Sequence, residues 1–100
     1  MAKVKHLVVF KFKEGTSSEQ IDQLFNELLE LTESFPGIED YVAGANISTE
    51  GLSAGYTHAL VMTFKDVAAR DEYLLHPEHE RVKALFLAHL ESAIVLDFEV

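Results

Sequence analysis

The sequence predicts an α+β domain in which helices cover one face of an antiparallel four-stranded sheet. Three observations carry that expectation. Stretches at 3–13, 38–47, 56–64 and 93–100 are rich in Val, Ile, Phe, Tyr and Leu, and the first and third alternate with period two. A stripe at helical spacing separates the first two stretches, and two helical pieces split by Pro77 separate the last two. One hundred residues hold one core, so residues 1–100 form a single domain.

The first strand, KVKHLVVFKFK, places Val4, His6, Val8, Phe10 and Phe12 on one face, apolar throughout except for His6. Its other face is apolar only at Leu7 and Val9, between lysines at both ends. Glu14 to Ser17 make a turn, and Ser17 with Gln20 has capping-box spacing. The helix that follows carries Ile21, Leu24, Phe25, Leu28, Leu29 and Phe35 on its stripe and stops at Pro36-Gly37. In the second strand, Gly44 signals a bulge or a close backbone approach. The polar loop Ser48–Ala54 is a candidate lid.

The third strand puts Tyr56, His58, Leu60, Met62 and Phe64 on one face, and Thr57, Ala59, Val61 and Thr63 on the other. Asp66 caps a helix over Val67–Leu75. Pro77 then breaks the chain at His76 and opens a second piece, from about Glu78 to Leu90. His76 is expected to cap that piece, and His89 to be half-exposed packing. The order β-α-β-β-α-β is that of a ferredoxin-like sheet. Such a sheet leaves the face of Leu7, Val9, Ala59 and Val61 uncovered, which predicts a homodimer of two faces closed into a barrel.

Composition narrows the function classes. A formal charge of −9 opposes nucleic acid and anionic membrane as partners. No apolar run approaches a membrane span and the charged start is no signal peptide, so a cytoplasmic location is expected. There is no cysteine, no G-x-S-x-G elbow and no phosphate-cradling glycine loop, which sets hydrolase and nucleotide chemistry aside. No HExxH or H-x-x-x-H spacing stands here, so no metal site is expected. Four polar aromatic side chains remain: His6, His58, Tyr73 and His79. A histidine alone on an apolar strand face is more often a satisfied core residue than a catalyst. Two such histidines with Tyr73 and His79 make a polar pocket an equal reading.

VKHLVVFKFK, PGI, GYTHALVMTF and YLLHPEH together resemble the stress-responsive dimeric α/β-barrel (Dabb) domains over nearly the whole chain. The resemblance implies the same dimer of ferredoxin-like units. The family includes plant polyketide cyclases of the olivetolic acid cyclase type, which close a poly-β-keto chain by an intramolecular aldol step. The cyclase pattern falls on His6, His58, Tyr73 and His79. By that resemblance His79 is the general base and Tyr73 stabilises the developing oxyanion, while His6 and His58 bind substrate, with no metal or organic cofactor. The rival expectations are a non-catalytic stress-associated dimer with a filled interior and, more distantly, a cofactor-free monooxygenase.

Overall fold

The computed structural model describes residues 2–100, in the order β1 (Val4–Phe12), α1 (Ser18–Ser34), β2 (Ile38–Ala45), β3 (His58–Phe64), α2 (Val67–Leu75), α3 (Pro77–Leu87) and β4 (Leu90–Glu99). The strands lie in the order β2-β3-β1-β4, every neighbouring pair antiparallel. This is the ferredoxin-like α+β arrangement, with β2 and β4 at the edges.

Local chemistry explains most of the boundaries. The Gln20 amide donates to the Ser17 hydroxyl (3.1 Å), and the Gln20 side chain accepts from the Ser17 amide (2.9 Å), so the capping box starts α1. At the other end Phe35 is extended, as a residue before proline must be. Asp66 caps α2 through the Ala69 amide (2.8 Å). His76 ends α2 and caps α3, its Nδ1 accepting from the Glu78 amide (3.1 Å), with Pro77 in the first turn.

Two boundaries and three finer features differ from expectation. Helix α3 stops at Leu87 rather than Leu90, and β4 begins at Leu90 rather than Ala93. The sheet takes the intervening backbone: Lys13 donates to the His89 carbonyl (2.8 Å) and Leu90 pairs with Phe12. The irregular register in β2 lies between Ile38 and Asp40, not at Gly44, which pairs with Ala59 and has open space beside it. The close approach belongs to Gly37, where a Cβ would sit 2.8 Å from that of Ala69. Along α1, Leu24 and Leu28 are buried as predicted, but Leu31 and Thr32 take the place of exposed Leu29 on the buried stripe.

The core lies between the helices and one sheet face, built on Val4, Val8 and Phe10 of β1 and Leu60, Met62 and Phe64 of β3. Burying such side chains at ~25 cal/mol per Å² is the main force holding the layers together. The opposite face carries no helix. Leu7, Val9 and Val61 are half-buried there, and the pairing register adds Val42, Ile94, Leu96 and Phe98, which are 45–61% exposed. Among the described residues no helix is long and apolar enough to cross a membrane.

Candidate active site

A cavity of about 250 Å³ lies between the sheet and the helices α2 and α3. Phe10, Met62 and Phe86 supply apolar wall, and His6, Tyr73 and His79 supply polar groups. Its exposed lining residues include Lys83, Leu87 and Val95, so it opens between α3 and the edge strand β4. The volume equals that of roughly eight waters, just below the usual range of about 300–1,000 Å³ for ligand sites.

Each polar group reaches the cavity for a local reason. His6 shares the inward parity of β1 with Val4, Val8 and Phe10. Tyr73 lies on the buried face of α2, one turn from Ala69, and is 2% exposed. His79 enters from the first turn of α3, where the break at Pro77 turns the chain back towards Tyr73. The two rings stand 4.6 Å apart between centroids, tilted by 55°.

The electrostatics assign each group a form. Burial lowers the His79 imidazole below its ordinary value of 6.5; Glu80 and the Leu74 carbonyl oppose this, and Lys83 and His6 add to it. Its Nδ1 is buried without a hydrogen-bond partner. Burial raises the Tyr73 hydroxyl well above its usual 10.0, helped by Tyr41, so it stays a protonated donor. Tyr41 is itself pushed up to about 12 by burial, and its hydroxyl likewise lacks a partner.

His6 is held in place by its Nδ1, which hydrogen-bonds Asp97 Oδ1 (2.5 Å) and so orients the ring. Arg70 donates to Asp97 Oδ2 (2.8 Å) and to Asp71 (2.8 Å), which balances the Asp97 charge. Asp97 and Arg70 were not among the residues singled out from sequence. The signal for Asp97 was present: it shares the inward parity of β4 with Ala93 and Val95, opposite the apolar Ile94, Leu96 and Phe98.

His58 stands apart from this group. It pairs with Phe10, whereas His6 pairs with Met62, four residues further along β3 and roughly 13 Å away at the rise of a strand. The Phe10, Phe25 and Phe86 rings pack together at 5.2–5.5 Å, and His58 packs against Phe12 and Phe25 at 5.5 and 5.7 Å. It hydrogen-bonds Thr57 (2.8 Å) and borders a separate hollow, with Leu52 and Ile94, near the open sheet face. Burial lowers its pKa, against the pull of Asp22. The structure does not bring His58 beside His6: shared strand parity sets the face, and position along the strand separates the two. The loop Ser48–Ala54 borders the His58 hollow rather than the cavity of His79. A larger groove between α1 and α3, lined by Glu27, Glu30 and His89, contains none of the four predicted residues. Among the described residues no three His, Asp or Glu side chains group to hold a metal ion.

A small α+β protein with a one-sided helical cover and a His/Tyr-lined cavity at one sheet edge is what the fold and geometry define. The chain belongs to the stress responsive A/B barrel domain family, whose model matches residues 4–100. The stress-response A/B barrel domain-containing protein HS1 of Arabidopsis thaliana is 33% identical over 96% of this chain and 88% of that protein. Olivetolic acid cyclase of Cannabis sativa is 28% identical over 95% of this chain and 94% of its own. Among solved structures, a hydroxynitrile lyase from Passiflora edulis superposes with a TM-score of 0.92 at 26% identity, covering 98% of this chain and 93% of that one. A dimeric ferredoxin-like protein of unknown function from Jannaschia superposes at 0.88 with 28% identity, covering 98% and 99%.

Proposed function

We propose that the chain is a homodimeric acid–base enzyme acting on a small enolisable carbonyl compound without a cofactor. One observation carries the reading: His6, Tyr73 and His79 converge on a single, mostly apolar cavity that opens to solvent. Neutral His79 accepts the α-proton of the substrate, and the Tyr73 hydroxyl donates to the enolate oxygen as charge develops. The proton returns from His79 to carbon or to the product oxygen, so nothing is consumed. His6, oriented by Asp97, contacts the carbonyl side of the substrate. A cyclase and a hydroxynitrile lyase among the relatives support an enzyme of the cyclase or lyase kind. The bare sheet face of Leu7, Val9, Ala59, Val61, Leu96 and Phe98, together with the dimeric relative, supports dimerisation through that face.

The test is exchange of α-protons for deuterium on 2-octanone in D2O, followed by NMR. The wild type is expected to exceed the buffer rate. His79→Ala lowers it by about 10²-fold or more, and Tyr73→Phe by about tenfold. No catalysis above buffer, or an unchanged rate in His79→Ala, overturns the reading. His58 receives no role in this scheme, and its packing against Phe12 and Phe25 favours a structural one.

A further inference from the structure

Lys83 lies at the mouth of the same cavity, one helical turn after His79 and beside exposed Leu87. The cations nearest the site differ in what they are free to do. Arg70 is held by Asp71 and Asp97, whereas Lys83 forms no ion pair among the described residues. The cavity lining contains no Asp or Glu, so its polar groups are His6, Tyr73, His79 and this one ammonium. An apolar hollow with a single positive charge at its entrance complements an amphiphile whose apolar part is inside and whose anionic end is outside.

Resting on the enolisation reading above, we infer that Lys83 is a specificity-determining residue that selects substrates bearing one carboxylate, with the reactive carbonyl placed inward. One ammonium balances one charge. The net charge of −9 on the chain disfavours ligands with several phosphates, so a small monocarboxylate fits better than a polyanionic carrier. Lys83 touches the remote end of the molecule and not the reacting atoms, so it acts on binding rather than on proton transfer.

The experiment is titration of the full chain with octanoate, octanol and octylamine at neutral pH and low salt, read by amide NMR shifts around Tyr73, His79 and Ala93. Octanoate is expected to bind about five- to tenfold more tightly than octanol, from one charge-assisted contact at a wet rim. Lys83→Met abolishes that preference and keeps octanol binding, and Lys83→Arg restores it. The side chain is exposed, and the same spectra report that the variants fold. Equal binding of octanol and octanoate, or a preference that survives Lys83→Met, overturns the role of Lys83 and leaves the cavity reading intact. Failure of all three probes to shift these residues overturns the cavity reading and the inference with it. Octanoate binding that raises 2-octanone exchange or leaves it unaltered overturns a shared site, because competition must lower it.

Discussion

Asp97→Ala removes the one hydrogen-bond partner of a buried histidine, and its cost follows from the geometry. His6 is 7% exposed at its side chain and Asp97 24%, so the bond lies at the inner margin of the sheet edge. Truncation leaves the His6 Nδ1 without a partner, a penalty of ~1–3 kcal/mol. It also frees Arg70, which is 22% exposed and keeps Asp71, so that loss adds ~0.5 kcal/mol or less. The expected destabilisation is ~2 kcal/mol, equivalent to a fall in Tm of ~8–16 °C in a domain of this size. Urea unfolding at fixed protein concentration measures it, since dimerisation makes apparent stability concentration-dependent. Asp97→Asn, which keeps an acceptor oxygen, is expected to lose about half as much. A double-mutant cycle with His6→Phe isolates the pair, with a coupling of ~1–2 kcal/mol expected. A loss below ~0.5 kcal/mol, or a coupling near zero, refutes the argument and shows that solvent in the cavity satisfies His6 equally well.

Three further outcomes test other parts of the structure. Leu96→Lys places a charge on the bare sheet face, beside Leu7 of the central strand β1, and is expected to shift sedimentation from dimer to monomer at micromolar concentration; an unchanged dimer rules out this face as the interface. Burial lowers the pKa of both His58 and His79, so the unfolded chain binds their protons first. Stability is therefore full above about 6.5 and falls as pH drops from there towards the lowered values, a slope that thermal melts of a His58→Phe, His79→Phe variant should largely lack. Gly37→Ala drives a methyl to 2.8 Å from Ala69 and 3.2 Å from Phe35, and is expected to cost ~1–3 kcal/mol in chemical denaturation, whereas Gly44→Ala, in open space, is expected to cost under ~1 kcal/mol.

Three of the four residues singled out from sequence line one cavity, and local rules place each of them there. His6 follows from alternation along β1, Tyr73 from the buried stripe of α2, and His79 from the break that Pro77 forces. His58 obeys the same alternation and still falls outside the cavity. Alternation reports a face and is silent about distance along it, and the phenylalanine cluster fills the space between. Asp97 and Lys83 escaped for a related reason. Each reads locally as an ordinary charged residue, and its meaning comes from what lies across the fold.

The sequence by itself determined the element order, the capped helix starts, the inward parity of β1 and β3, and the bare apolar face, since each depends on contacts within a few residues or on strand period. Only the tertiary structure decided that Asp97 meets His6 across 91 positions of sequence, that Lys83 stands at a cavity mouth, and that His58 belongs elsewhere. Those outcomes depend on the register of β1 with β4 and on the seating of α3 against the sheet. Both are set by the packing of the whole core at once, and no local stretch of residues encodes them.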